Sequence, residues 1–522
     1  MPIVEALLAL IAACIGFALL ARRAHVPYAV VLVLGGMVLA FIPGAPKVEL
    51  DPDVALAFFL PPLLLASAYR TDWRAFRGNI RPILFLAVGA VVFTAFAIGV
   101  AAAALIPSLP FAAAVALGAI VAPPDAVAAG AVLQRLRLPR DIVAVLEGES
   151  LVNDASALVL YRFAVAATLA GAVSWTAAGF GFVALAAGGV AVGWAAGRGA
   201  VLAIRRLQDT LLETAMSFIA CFASYFAAEL LHVSGVIAVV VTGLVLGRAQ
   251  HGLSARTRRD SRTVWEFIEF VLNSLVFILI GLQLNEILGR MDAYSGWQLA
   301  LYAAAISATL IASRFVWVLP ASLTPRIVPS LARFGSPRPW AHTTIIAWCG
   351  MRGVVSLAAA MALPIDFPER DLMVFLAFCA ILATLVLQGT TLEWLIRRLG
   401  VERKARPGMS REEAAARALV AHAALLEMER RAGDVLSGAI AQDLLPEYRD
   451  RVRLLDGIDQ GPIAAERAAR LEHRLNALRA GRDRLLRHHR DGSMEEELMA
   501  RLTEELDLEE LRLLRLLGAA HS

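Results

Sequence analysis

Three charged side chains stand where an apolar chain tolerates charge least. Asp125, Asp154 and Arg352 are each central in a run of mostly apolar residues. Charge at mid-bilayer depth is costly, so an ionisable residue there is by default a functional-site hypothesis. Asp125 follows Pro123 and Pro124, which remove two backbone donors and break a helix. A helix broken at membrane depth is tolerated where it lines a protein-enclosed or watery cavity. Its freed carbonyls beside a carboxylate make an oxygen-rich cradle for a hard alkali cation, and discontinuous helices of this kind mark substrate sites in secondary transporters. Asp154 lies in Glu147-Gly-Glu-Ser-Leu-Val-Asn-Asp-Ala-Ser156. Ser150 and Asp154 are four residues apart and share a helix face, so both can point at one ion, with Asn153 beside them. Arg352, set between Gly350 and Gly353, does not deprotonate and reads as a fixed counter-charge, with Glu149 as its natural partner.

Each of these residues has a plainer reading. Asp125 could cap a half-helix after the Pro-Pro break, and a Glu149–Arg352 pair could be purely architectural. Glu147 lies close enough to a span end to be simply solvated. Arg314, Glu213, Glu229, Glu266 and Glu269 lie nearer span ends, where snorkelling explains them. Asp154, central and followed by apolar sequence, has no comparable alternative.

The elements that hold these residues must be membrane helices. The 522 residues are 59% hydrophobic and 18% charged, with a mean hydropathy of +0.66. Soluble domains run about 45–50% apolar and about 25% charged. That excludes an ordinary soluble enzyme, a disordered regulator and a disulfide-stapled secreted module. A span needs roughly 20 apolar residues, and about 13 are predicted, near 2–21, 26–43, 52–69, 82–106, 110–133, 142–162, 174–197, 210–231, 233–247, 266–289, 296–320, 340–363 and 371–395. The first lacks a preceding positive region and contains Glu5, so it reads as a span rather than a signal peptide. One set of alternate loops holds 20 arginines, from Arg22 to Arg338, and the opposite set holds only Lys47, Arg290 and Arg370. The positive-inside rule then places the amino terminus outside and the carboxyl terminus in the cytoplasm.

The composition changes after Arg397 and Arg398, and residues 397–522 carry 23 basic and 23 acidic side chains. Residues 1–396 read as the transmembrane domain and 397–522 as a cytoplasmic helical tail, with amphipathic helices near 410–432, 462–490 and 494–517. The tail has no phosphate loop, dinucleotide-binding glycine pattern or metal-ligand cluster, and a solvated extension without separate activity is its plainest reading. The four cysteines are scattered in apolar runs and read as small buried hydrophobes. The excess of basic residues falls in loops between apolar runs, which argues against nucleic acid as a partner.

At these same residues a resemblance enters. Gly148-Glu-Ser-Leu-Val-Asn-Asp-Ala155 resembles the Asn-Asp signature of the sodium/hydrogen exchanger (NhaP-type) branch of the cation:proton antiporter superfamily, in its bacterial form. Phe59-Leu-Pro-Pro-Leu-Leu64, Ala122-Pro-Pro-Asp-Ala-Val127, Ser234-Gly-Val-Ile-Ala238, Phe270-Val-Leu-Asn-Ser-Leu-Val-Phe277 and Gly350-Met-Arg-Gly353 agree with it, in order over roughly residues 1–400. The resemblance implies an all-α polytopic fold of inverted repeats with broken helices, a mobile core bundle, a dimerising panel and a homodimer in the bacterial inner membrane. It implies that Asp154 binds cation and proton in turn, that Ser150 and the broken helix at Pro123, Pro124 and Asp125 complete the monovalent-cation site, and that Asn153 positions it. Glu149 and Arg352 would form the core ion pair. Exchange would be electroneutral and need no cofactor. Two departures bear on ion preference: Pro124 stands where many members have Thr, and Ala66 where some have an acid.

The expected function is therefore exchange of Na+, and also Li+, for H+ by elevator-type alternating access, serving pH and sodium homeostasis. A K+/H+ exchanger of the same fold and a cation channel are the alternatives. No His-Glu-x-x-His or other hydrolase motif supports an enzyme. A second broken helix is expected either at Gly350–Gly353 or near Gln388-Gly389.

Overall fold

Helix is the only regular structure among the described residues, as apolar segments that must satisfy every backbone group without water require. A computed structural model describes residues 2–24, 26–42, 52–125, 130, 133, 136, 138–170, 175–207, 209–252, 254–291, 294–327, 339–401, 411–433, 438–455, 462–490 and 496–520. The chain divides into two units, Met1–Arg403 and Lys404–Ser522.

In the first unit the helices are α1 (Pro2–Ala24), α2 (Tyr28–Ala40), α3 (Pro52–Arg70), α4 (Trp73–Gly78), α5 (Ile80–Leu105), α6 (Phe111–Val121), α7 (Arg140–Ala170) and α8 (Trp175–Leu207). They continue as α9 (Thr210–Leu230), α10 (Gly235–Ala249), α11 (Ala255–Leu282), α12 (Leu284–Gly289), α13 (Gly296–Ile327), α14 (Trp340–Trp348), α15 (Val354–Met361) and α16 (Arg370–Leu399). Among the described residues, six stretches are long and apolar enough to cross a membrane: Ile80–Leu105, Val183–Leu207, Thr210–Leu230, Thr257–Gly289, Gly296–Pro320 and Arg370–Leu399. Other predicted spans fall on shorter, more charged or interrupted helices, which that criterion does not count. Helix α16 runs past the expected boundary at 396, and Gly400 closes it at φ 63°, the left-handed conformation glycine adopts without penalty.

The helices of this unit form two groups. Helices α5, α6, α7, α13, α14, α15 and α16 pack around one another, and α1, α2, α3, α8, α9, α10 and α11 form the second group. Helix α15 also lies against α3, so the groups meet beside the interrupted segment α14–α15. Within the second group, α2 and α11 approach until Gly36 touches the Ile278 carbonyl and Gly281 touches that of Val33. A Cβ at either glycine would overlap backbone.

Among its described residues the second unit holds four helices: α17 (Arg411–Ala432), α18 (Gly438–Leu455), α19 (Pro462–Arg490) and α20 (Glu496–Ala520). The sequence pattern predicts three of them. It misses α18, because Pro446 lies inside that helix. Leu471, Leu475 and Leu478 of α19 pack on Leu513 of α20, and Arg482 ion-pairs with both Asp507 and Glu510. Hydrogen bonds from Arg430 and Arg431 hold the Glu427 carboxyl at about 2, below the usual 4.5. A depressed carboxyl stabilises the fold above its ordinary value and loses that contribution only as pH falls through the folded value. This group is therefore silent near neutral pH.

Candidate functional site: two interrupted helices over a pair of carboxylates

The Pro-Pro dipeptide does here what its chemistry dictates. Helix α6 stops at Val121, and Ala122–Asp125 is irregular. The same dipeptide at Pro61 and Pro62 leaves α3 unbroken, so prolines alone do not open a helix. What differs at Val121 is a partner for the freed carbonyls. Arg352 Nε donates to Val121 O at 2.8 Å, Nη2 donates to Ala122 O at 3.3 Å, and Nη1 reaches Gly350 O. A guanidinium at a helix C-terminus also meets the negative end of its dipole. Arg352 is only 1% exposed.

The second interruption lies at Cys349–Gly353, between α14 and α15, the first of the two positions expected for it. At Gln388 the helix α16 does not break but widens into a π-turn, Thr384–Gln388. Thr384 Oγ1 accepts from Arg352 N at 3.2 Å, tying that turn to the break. The two interruptions touch directly, since Asp125 N donates to Met351 O at 2.7 Å.

Helix α7 supplies the third side. Asn153 Nδ2 donates to Pro124 O at 2.6 Å, so the residue before Asp154 holds the first broken segment in place. Asn153 and Asp154 are both buried, while Asp125 and Ser150 are half-buried. The carboxylates of Asp125 and Asp154 lie within electrostatic reach of each other. Ser150 sits one turn before Asp154 on the same helix. The continuation after Asp125, including Ala126 and Val127 of the quoted motif, lies outside the described residues.

The expected Glu149–Arg352 pair is not formed. Glu149 is instead held by Arg314, through Nη1–Oε1 at 2.6 Å and Nη2–Oε2 at 2.7 Å, with side chains 2% and 3% exposed. Arg314 also donates to Ile346 O from Nε and Nη2, both at 3.2 Å. The physical reason is competition for Arg352, whose guanidinium is already taken up by the carbonyls at the breaks. Snorkelling of Arg314 fails as well, because α13 runs on to Ile327 and leaves Arg314 inside the helix. A lone arginine in Ile311-Ala-Ser-Arg-Phe-Val-Trp-Val318 was the available signal. Its cost in an apolar run calls for a buried acid.

Gly353 fits this site for one reason. A Cβ there would overlap Asp125 Oδ2 and come within 2.6 Å of Asp125 Cγ. Gly353→Ala is expected to displace the Asp125 carboxylate and lower exchange at least tenfold, since ångström-scale misplacement of a reacting group costs up to ~100-fold. The variant should still insert and fold. Vesicle transport set against detergent melting checks this, and wild-type rates would show that Asp125 need not sit where it does.

At the loop preceding α16, Glu369 has φ 53°. It accepts from Ser108 Oγ at 2.8 Å and from Tyr294 OH at 2.6 Å. Burial and that hydrogen bond push the Tyr294 phenol up to about 12.

Two interrupted helices meeting over two buried-to-half-buried carboxylates define an ion-coupled secondary transporter of the membrane. The chain belongs to the sodium/hydrogen exchanger family, whose transmembrane-domain model, "Sodium/hydrogen exchanger, transmembrane", matches residues 7–398. It is 32% identical to an uncharacterized Na+/H+ exchanger of Mycobacterium tuberculosis (strain H37Rv), over 97% of this chain and 96% of the relative. It is 34% identical to a sodium, potassium, lithium and rubidium/H+ antiporter of Bacillus pumilus, over 71% of this chain and 58% of that protein. The sodium proton antiporter MjNhaP1 of Methanocaldococcus jannaschii shares the fold with a TM-score of 0.59 at 19% identity, covering 76% of this chain and 99% of that one. These relatives are transporters, not enzymes.

Proposed function

We propose that this chain exchanges a monovalent cation, Na+ and also Li+, for H+ across the bacterial inner membrane. The observation that carries the reading is the charge balance at the meeting point of the breaks. Glu149 and Arg314 neutralise each other. What remains is Asp125 and Asp154 against Arg352, a surplus of one negative charge when both acids are ionised. One proton or one monovalent cation at Asp154 restores neutrality, and the two exclude each other. If the site crosses only when neutral, exchange is obligatory, one for one and electroneutral.

In this reading Asp154 and Asp125 bind the ion with Ser150, Asn153 positions the broken segment, and Arg352 caps α6. The helical group carrying these residues slides against the other in an elevator movement. Thirteen spans place the amino terminus outside and the carboxyl-terminal tail in the cytoplasm, and the protein works as a homodimer in pH and sodium homeostasis. No cofactor is needed.

A wider cation range is the second reading. Pro124 offers no hydroxyl where many family members have Thr, and the Bacillus pumilus relative is described as also handling potassium and rubidium. Purified protein in vesicles with an imposed proton gradient and a pH-sensitive dye decides between them. Na+ and Li+ should collapse the gradient and choline should not. A response to K+ of equal size moves the chain to the wider range. Current without counter-transport would make it a channel and refute exchange.

A further inference from the structure

A second pocket lies away from the carboxylate pair, among α3, α8, α9, α10 and α11, with aliphatic walls from Val201, Ile204, Leu246 and Ala249 and one polar side from α9 and α11. Glu213, Ser217, Thr257 and Ser261 line a cavity of about 20 Å³, with Tyr69 and Arg205. That is the room of one water molecule or one dehydrated alkali cation. Glu213 Oε2 is buried there and has no hydrogen-bond partner among the described residues. Arg205 is exposed, and no ion pair joins it to Glu213 among the described residues. Ser217, Thr257 and Ser261 are themselves nine-tenths or more buried.

Hydrogen bonds hold the hydroxyl oxygens in place. Ser217 Oγ donates to Thr214 O at 2.6 Å and accepts from Trp265 Nε1 at 3.1 Å. Ser261 Oγ pairs with Thr214 Oγ1 at 2.7 Å, and Thr257 Oγ1 pairs with Ser254 Oγ at 2.8 Å and Thr210 Oγ1 at 3.2 Å. A hydroxyl has two acceptor lone pairs, so Ser217 and Ser261 each keep a lone pair. A buried carboxylate oxygen without a donor, with fixed hydroxyl oxygens along the same side of a single-ion cavity, suits a hard cation.

We propose that this pocket is a second monovalent-cation site, held by Glu213 with the hydroxyls of Ser217, Thr257 and Ser261. It sits on the helical group that does not carry Asp154 and does not depend on this chain's exchanging ions. The test uses the full chain with Asp125→Asn and Asp154→Asn, so that the first site is disabled. Its melting temperature is measured in NaCl and in choline chloride of equal ionic strength. Single-site binding at about 100 times Kd should raise it by roughly 2–3 °C in Na+ alone. Adding Glu213→Gln should remove that rise, and Ser261→Ala should reduce it, with midpoints in choline unchanged. Should Glu213→Gln fail to fold, the Ser261→Ala comparison carries the test. A rise equally large in choline, no rise at all, or a rise unaffected by both substitutions would leave only water in the pocket and overturn the proposal.

Discussion

Asp154→Asn is expected to insert and fold like the parent and to exchange nothing. The substitution preserves volume and hydrogen-bonding reach, so the packing of α7 against the breaks should survive. It removes the carboxylate to which the proposed cycle gives a negative charge in one half and a proton in the other. With Asn at 154, the charge surplus that Asp125, Asp154 and Arg352 create is gone permanently, and neither ion is demanded. The drop in Na+-driven proton flux should exceed 100-fold, the equivalent of more than about 2.7 kcal/mol. A variant that kept most of its maximal rate and only needed more Na+ would move the essential charge to Asp125.

Arg314→Ala should do its damage through stability. Removing one partner of a buried pair leaves an uncompensated charge and costs about 3–5 kcal/mol. Here Glu149 would be stranded with its side chain 2% exposed, and Ile346 O would lose its two donors from Arg314. The expected outcome is a sharply lowered melting temperature or loss of protein from the membrane. A double change, Glu149→Leu with Arg314→Met, should recover most of the loss, because apolar replacement of both partners is often neutral. Arg352→Ala makes a useful contrast. It leaves Glu149 paired but uncaps Val121 and Ala122 and takes away the counter-charge of Asp125 and Asp154, so transport should be lost together with stability. If Arg314→Ala melted like the parent, the buried pair would be structurally idle.

Much of this was legible in the residues themselves. Pro123-Pro124-Asp125 announces a broken helix because proline chemistry is local, and α6 does stop at Val121. Asn153 and Asp154 stand out because their surroundings are apolar. The partner of Glu149 was not legible, since pairing is decided by which guanidinium is already occupied. Arg352 is drawn off by the carbonyls of Val121 and Ala122, atoms that every residue carries and no sequence pattern marks. The place of Arg314 turned on where α13 ends: the predicted span stops near 320, and the helix runs on to Ile327. Of the two positions open for the second break, glycines decided in favour of 350–353, where Gly353 gives way to Asp125. Gln388 relaxes into a π-turn instead.

The central claim is that cation and proton compete for one carboxylate, and the pH dependence of Na+ affinity tests it most directly. Competition predicts that the apparent Na+ dissociation constant rises about tenfold for each pH unit of acidification once the site is largely protonated, and levels off in alkali. Where the site is protonated, each Na+ bound should release one proton, with both signals absent in Asp154→Asn. A Na+ affinity independent of pH, in protein that still exchanges, would mean the two ions use separate groups and would contradict the account.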